Sequence, residues 1–523
     1  MPTGVFTLSP PSLSGMTGSL FISRFERVLS EHPDAVAFSI AGQETSYRDF
    51  AQRVQAIRQA LRARDETKAT PVAVYATQEL DTYAAIVAIM AEGRAYLPLN
   101  PKAPTQRNAV CLQQAEARTV ICRTSGAAVE GWTADSSLNV AALETDSLAP
   151  ANWQPANAIG ENDMAYLLFT SGSTGVPKGV PIFHRNLNAF LDAIMAHTDW
   201  NVGANDRVLQ MFDLTFDLSV MSYALPLCVG GTCVVVPDGS AGFVGVARTL
   251  QKGRVTVALM VPSVLTFLER YFDEISLPDL RLSMFCGEAL PVALARKWWA
   301  CAPNARLLNV YGPTEATIFL SAYELGGHPT AEDAYNGVVG IGLPLSGSAF
   351  RIVSEDLLER DEGEKGELIL IGPQLTNGYW RNPEKTQAAF VTLPDGTAGY
   401  RSGDLVFRQG TQYFYAGRID HQIKIDGYRV ESGEIEHRAR QVHSVRDAAL
   451  VPESRDGRIV ALHLFVLVDG QPDAGFASAC RKELAQHLPS YMVPHKVHAR
   501  STFPLNSNGK VDRNALAADI ARP

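Results

Sequence analysis

One stretch of this chain has the composition of an anion cradle. The apolar residues Leu167, Leu168 and Phe169 run into Thr170-Ser171-Gly172-Ser173-Thr174-Gly175-Val176-Pro177-Lys178-Gly179, which supplies three glycines, four hydroxyl side chains and one lysine. Glycine lets backbone N–H groups approach an anion without a side chain in the way. The hydroxyls add donors, and a lysine brings a positive point charge to phosphate oxygens. A scattered Ser/Thr/Gly cluster is usually a solvated loop. Here a β-like run precedes the cluster, Pro-Lys-Gly closes it and a helix is expected from Asn186 onward, so a phosphate-holding loop is the better reading. The G-x-x-x-x-G-K-[ST] spacing of the common nucleoside-triphosphate loop is absent from it.

Such a loop must be presented by a sheet, and the chain is long enough for several. Its 523 residues make roughly three or four domains at about 150 residues each. Hydrophobic residues are 46% and charged residues 19%, a globular composition rather than a disordered one. With 46 Lys and Arg against 55 Asp and Glu, the net charge of −9 lacks the footprint of a general nucleic-acid binder. No apolar run reaches the ~18–20 residues of a membrane span, and the richest, Thr256 to Leu268, is broken by Pro262 and Ser263. Met1 to Ser14 has no basic segment ahead of an apolar one, so no secretory signal is expected. The seven cysteines are scattered and none forms a C-x-x-C pair, which argues against a disulfide framework or a zinc site. The expected setting is the reducing cytoplasm.

The first 20 residues, rich in Ser, Gly, Pro and Thr, read as a loosely held arm. From Leu20 to Thr119 helix and strand patterns alternate: helix at Phe21–Glu31, strands at Ala35–Ile40 and Pro71–Ala76, and an Ala-rich helix at Leu80–Glu92. Alternation continues from Tyr166 to Phe319, with a strand at Cys233–Val236 and a helix at Ala241–Gln251. This pattern favours parallel sheets covered by helices. After Ala349 short β-like runs at Phe350–Val353, Glu367–Ile371 and Gln412–Tyr415 suggest a smaller β-rich subdomain. From Val430 a compact αβ pattern follows: helix Gly433–Val442, strands Ala448–Val451 and Ile459–Val468, and helix Phe476–His487.

Five further segments follow the loop in order: Asn309-Val310-Tyr311-Gly312-Pro313-Thr314-Glu315-Ala316-Thr317; Gly366-Glu367-Leu368 with Gly378-Tyr379-Trp380; Tyr400-Arg401-Ser402-Gly403-Asp404; Gly417-Arg418-Ile419-Asp420-His421-Gln422-Ile423-Lys424; and Leu505-Asn506-Ser507-Asn508-Gly509-Lys510-Val511-Asp512-Arg513. Together with the loop they resemble the motifs of the adenylate-forming superfamily of acyl-CoA synthetases, luciferases and peptide-synthetase adenylation domains. The resemblance extends from about Phe21 to Arg513. It implies an α/β fold with a large N-terminal part, made of two αβ subdomains and a β-rich subdomain, and a small mobile C-terminal αβ domain. The expected boundaries are 1–20 for the arm, 21–419 for the adenylation core and 420–523 for the mobile domain.

The resemblance implies a two-step reaction. A carboxylate attacks the α-phosphate of ATP, giving an acyl adenylate and pyrophosphate; a thiol then attacks the activated carbonyl and releases AMP. The implied phosphate residues are Thr170, Ser171, Gly172, Ser173, Thr174, Gly175 and Lys178. Glu315 is implied as the Mg²⁺ carboxylate, with Thr314 near the α-phosphate. Adenine is expected against Tyr311 and the Gly287-Glu288-Ala289 backbone, with Asn309 and Gly312 in the same nucleotide site. Asp404 is expected on the ribose hydroxyls and Arg418 on ribose and phosphate. Lys510 is implied as the catalytic bridge between ribose, α-phosphate and substrate carboxylate. Asp420 is the implied hinge, about which the last domain presents first Lys510 and then the Lys424–Gly427 face for the thiol. Gly427 would give the thiol's arm close passage, or is a plain hairpin glycine.

The substrate pocket narrows the resemblance. A buried ammonium needs a carboxylate partner, and Asp217 in Phe216-Asp217-Leu218-Ser219-Val220-Met221 stands where amino-acid-activating members hold the α-amine. Its alternative is the N-cap of a helix starting at Leu218, and Asp213 is a competing amine anchor. The other matched pocket positions are Leu218, Met221, Leu259, Met284, Cys286, Val310, Ile318 and Phe319; none is charged and several are bulky, which favours a small side chain. Each could be ordinary core, Met284 above all. Phe216–Met221, Phe285-Cys286-Gly287-Glu288-Ala289-Leu290-Pro291 and Gln422–Arg429 look most like D-alanine–carrier protein ligases, where a cysteine at the Cys286 position crowds the space of an L-side chain. Cys286 has no companion base that would make it a nucleophile. The expectation is therefore adenylation of a small amino acid, D-alanine first with L-alanine and glycine open, and transfer to the phosphopantetheine thiol of a separate carrier protein by a monomeric enzyme. Rival readings are an acyl- or aryl-CoA ligase, with coenzyme A as acceptor, and a nucleotide-binding homologue without catalysis.

Overall fold

The runs Thr232–Val235, Val257–Met260 and Leu282–Phe285 are buried along their whole length, as strands covered on both faces must be. They lie inside a nine-stranded sheet whose order is Leu343–Pro344, Ser321–Leu325, Arg306–Tyr311, Leu282–Phe285, Val257–Met260, Arg207–Gln210, Thr232–Val235, Val36–Ile40 and Gln43–Ser46. Its inner strands pair in parallel, while Ser321–Leu325 and Gln43–Ser46 run antiparallel to their neighbours. The computed structural model describes residues 20–64, 70–123, 129, 131–132, 140–156, 158–171, 177–240, 242–326, 329–419, 422–455, 458–468, 475–504 and 511–521. Of the expected features, the arm up to residue 19, Gly172, Ser173, Thr174, Gly175, Asp420 and Lys510 lie outside the described residues.

A second, six-stranded sheet runs Ala141–Glu144, Thr119–Cys122, Val72–Tyr75, Tyr96–Leu99, Met164–Thr170 and Lys178–Phe183. Helix Leu80–Ala91 is apolar on every side and buried from Thr82 to Ala91, the pattern of a helix enclosed in a core. Between the loop expected to hold phosphate and the helix expected from Asn186 onward, which begins at His184, Lys178–Phe183 pairs antiparallel with Met164–Thr170, with Thr170 opposite Lys178. Buried Val180 and Ile182 extend the sheet by one strand before helix His184–Met195 begins. The two ends of the loop, Thr170 and Lys178, are thereby held side by side.

The β-rich subdomain is a five-stranded sheet: Ala349–Val353, Gly366–Ile371, Ala398–Gln409 and Phe390–Thr392, with Gln412–Arg418 paired to Ala398–Gln409. One apolar cluster joins this subdomain to the two large sheets. The C-terminal residues have separate clusters of their own, around Val430, Ile435, Leu464 and Leu484 and around Phe465 and Leu516. There a hairpin, Gln422–Ile425 with Tyr428–Glu431, precedes a three-stranded sheet of Val445–Arg455, Arg458–Val468 and Lys496–Arg500. The turn residues Asp426 and Gly427 have φ of +49° and +83°, the two-residue turn that Asp-Gly favours because it matches strand twist. Strand Val445–Arg455 is longer than the expected Ala448–Val451 because its antiparallel partner holds it in register well beyond the apolar core. Among the described residues no helix is long and apolar enough to cross a membrane.

Candidate active site

Glu315 is the electrostatic centre of the site. It sits on a short turn, Thr314–Ala316, with no exposed surface. Arg429 Nη1 donates to its carboxylate at 2.9 Å and 3.2 Å, Tyr379 Oη donates at 2.6 Å and Lys178 Nζ lies 3.5 Å away. Burial opposes ionisation of this carboxyl, but the two cations and the phenol overcome it and hold Glu315 far below the usual range. Lys178 is pulled down to about 8 by burial and by Arg429, against the pull of Glu315 and Glu431. The turn is held under strain. Thr317 and Ile318, both β-branched and buried, have φ of +55° and +76°, a backbone region costing about 1–3 kcal/mol per such residue. Gln374 secures them: its carbonyl accepts from Thr317 Oγ1 at 2.5 Å and its amide donates to the Phe319 carbonyl at 2.8 Å.

Beside this cluster lies a cavity of about 520 Å³. Its floor is Gly287, Glu288, Ala289, Asn309, Val310, Tyr311 and Gly312, with Arg418 and Lys424 at the side. These come from adjacent strand ends: Leu282–Phe285 and Arg306–Tyr311 pair in parallel, so their C-terminal loops open at one edge of the sheet. Tyr311 Oη donates to Asp404. Asp404 also takes Arg418 Nη1 at 2.6 Å, in a pair that is buried on both sides. Asn309 is occupied structurally, its amide donating to the Gly340 carbonyl at 2.8 Å. A Cβ on Gly312 would lie 2.4 Å from Phe319 Cα, so only glycine fits that crossing. Lys424 Nζ stands 5.6 Å above the Tyr311 ring.

A larger cleft of about 1540 Å³ opens on the other side, between the N-terminal part and the C-terminal residues. Thr170, Ser171, Asp213, Phe216, Asp217 and Thr314 line it from one side, and Tyr428, Arg429 and Tyr491 from the other. Asp217 is 4% exposed and starts helix Leu218–Val229, yet its side chain makes no capping hydrogen bond. Burial pushes its carboxyl up to about 7, and Glu315 adds to this; the Thr314 hydroxyl and Lys424 pull the other way. Among the described residues Asp217 forms no ion pair. Leu259, Met284 and Cys286 lie on adjacent parallel strands close to this point, and together with Leu218, Met221, Ile318 and Phe319 they are packed into the interior rather than along either cavity. Burial pushes the Cys286 thiol up to about 12, with Asp217 adding to the effect, which leaves it protonated and unsuited to attack.

The hairpin tip reaches into both cavities. The Gly427 N–H donates to Glu288 Oε1 at 2.8 Å, and Glu288 Oε2 accepts the Ser263 N–H at 2.8 Å. Tyr428 Oη donates to Asp213 Oδ2 at 2.9 Å, and Asn100 donates to the same oxygen at 3.2 Å. Ser171 Oγ donates to the Arg429 carbonyl at 2.6 Å and accepts the Glu431 N–H at 3.2 Å. Behind the hairpin, Arg107 pairs with buried Glu434 at 2.7 Å.

The structure thus brings together Thr170, Ser171, Lys178, Asp217, Glu288, Tyr311, Thr314, Glu315, Asp404 and Arg418 around two joined cavities. Sequence reasoning left Arg429, Tyr379 and Gln374 without a role, although the first two fall inside motifs it quoted. Asp213, a rival for the amine, is instead engaged by Tyr428 and Asn100.

Among known proteins, residues 25–380 match the AMP-binding enzyme family and residues 434–510 match the AMP-binding enzyme C-terminal domain. A D-alanine–D-alanyl carrier protein ligase of Bacillus cytotoxicus is 31% identical over 515 residues, covering 95% of this chain and 99% of that one. The protein of the same description from Bacillus licheniformis is 30% identical over 510 residues, with the same coverage of 95% and 99%. The Vibrio cholerae adenylation domain AlmE, solved in complex with glycyl-adenosine-5'-phosphate, is 27% identical and superposes with a TM-score of 0.83 over 100% of both chains.

Proposed function

This chain belongs to the AMP-binding enzyme family, and we propose that it activates D-alanine with ATP and loads the aminoacyl group onto the phosphopantetheine thiol of a separate carrier protein. The observation that carries the reading is Asp217, a buried carboxyl that forms no ion pair among the described residues. A substrate ammonium supplies the missing charge. Fatty and aryl acids have none to offer, so a buried carboxylate would repel them. The full-length likeness to D-alanine–D-alanyl carrier protein ligases supports the same choice. The glycyl adenylate in the Vibrio cholerae structure makes glycine the second candidate.

In this reading adenosine occupies the smaller cavity, with adenine on Tyr311 and the Gly287–Ala289 backbone and the ribose on Asp404 and Arg418. The Thr170–Lys178 loop holds the triphosphate, and Lys510 bridges the α-phosphate and the substrate carboxylate. Glu315 would hold Mg²⁺, which when bound would supply charge neutralisation of the triphosphate. The donor set fits that arrangement. Among the described residues no group of three or more His, Cys, Asp or Glu can hold a metal, and Mg²⁺ commonly takes one carboxylate and completes its shell with phosphates and water. Glu315 carries the required charge. The thiol enters through the larger cleft, past the hairpin tip.

The test is amino-acid-dependent pyrophosphate exchange across glycine and the D- and L-amino acids, followed by loading of phosphopantetheinylated carrier protein. D-alanine is expected to give the highest kcat/KM, and Cys286→Ala is expected to narrow the D/L ratio. Exchange with a hydrophobic carboxylic acid but with no amino acid would overturn the assignment.

A further inference from the structure

Three consecutive hairpin residues each meet a different acidic residue of the N-terminal part: Gly427 meets Glu288, Tyr428 meets Asp213 and Arg429 meets Glu315. Glu315 has a role of its own in the adenylation reading. Asp213 and Glu288 have no such role for their side chains. We propose that Asp213 and Glu288 are positioning residues for the second step, a two-point latch that holds the hairpin where the thiol must pass.

The geometry of each point is specific. Glu288 is half-buried and forms no ion pair among the described residues; its two oxygens are used separately, one by the Ser263 N–H within the N-terminal part and one by the Gly427 N–H from the hairpin. A carboxylate accepts two such bonds, whereas an amide in its place turns one oxygen into a donor facing another donor. Asp213 accepts the Tyr428 hydroxyl, while the Tyr428 ring is held between Phe216 and Tyr491, with centroids 5.4 Å and 3.8 Å away. The stacking sets the ring, and the hydroxyl sets the depth of the hairpin in the cleft. Gly427 must be pinned closely: a Cβ there would lie 2.5 Å from Val261 Cγ1. A bond to the Gly427 backbone and one to the next side chain fix both position and tilt of the turn. The Tyr428–Asp213 bond involves no residue that lines the nucleotide cavity, so losing it should spare the first step.

This inference rests on the two-step reading above, and the experiment separates the two. Adenylate formation is followed by pyrophosphate exchange with D-alanine and with glycine, and thioester formation by single-turnover transfer to free pantetheine. Tyr428→Phe keeps the stacking and removes only the hydroxyl; adenylate formation is expected unchanged and transfer roughly tenfold slower, the scale of one hydrogen bond to a charged acceptor. Asp213→Asn is expected to lower the ratio of transfer rate to adenylation rate by a similar factor. An active wild type whose Tyr428→Phe and Asp213→Asn variants keep the two rates in their original ratio overturns the latch alone. A wild type that forms no adenylate with any amino acid overturns the function reading, and the latch with it.

Discussion

A carboxyl group buried without a cation, as Asp217 is, acts on stability and on activity with opposite signs. Its folded value stands at about 7, whereas an unfolded aspartate titrates near 4. The folded chain therefore keeps a proton between roughly pH 4 and 7 that the unfolded chain has lost, so stability falls as pH rises through that window and stays lowered above it. Asp217→Asn removes the penalty. Its melting temperature is expected to exceed the wild type's at pH 8, by up to the equivalent of about 4 kcal/mol, and to match it near pH 4. The same substitution should reduce pyrophosphate exchange with D-alanine by a hundredfold or more, since on the order of 3 kcal/mol is lost when a buried ammonium has no partner. In the wild type, kcat/KM for the amino acid should fall as pH drops below about 7, where Asp217 becomes neutral. Equal thermal stability of wild type and Asp217→Asn at pH 8 would show that the carboxyl is solvated rather than buried.

At the scale of single elements, the hairpin Gln422–Glu431 shows how far local sequence reaches. Asp-Gly between two β-like runs announces the turn, and both residues do have positive φ. What the turn touches is not written locally. Glu288 and Asp213 are 139 and 215 residues away from their hairpin partners in the bonds observed, and no periodicity encodes a contact of that range. The strand after the expected phosphate loop was not legible, because Gly179 to Phe183 has too little alternation to separate it from the helix that follows. Gln374 left no signal at all: it is one buried glutamine between two motifs, and only the strained Thr317–Ile318 backbone explains it. For the hairpin itself, Gly427→Ala forces a Cβ against Val261 at a backbone angle of +83°. Strain of about 1–3 kcal/mol at that point is expected to slow thioester transfer ten- to a hundredfold while the protein stays folded. Transfer at the wild-type rate would mean that the thiol does not pass this turn.

The C-terminal residues have apolar clusters that share no member with the large N-terminal one, and the joint between the two parts includes the Phe216–Tyr428 contact, Arg107–Glu434, Arg429–Glu315 and the hydrogen bonds of Ser171 and Glu288. Interfaces of this kind permit relative movement, which a reaction with two successive visitors at one phosphate requires. They also make a thermodynamic statement. With separate cores, the two parts are expected to melt as two calorimetric transitions in the free protein. The smaller cavity is walled by both, through Tyr311 and Gly287 on one side and Lys424 and Arg458 on the other. A ligand that fills it must therefore stabilise both parts together. A non-hydrolysable alanyl-adenylate analogue at about 100 times its Kd adds roughly 2.7 kcal/mol to the state that binds it. The lower transition should then move up toward the higher one. A shift of the higher transition alone would show that the nucleotide is held by the N-terminal part without help from the hairpin side, and that the joint seen here does not persist when the site is full.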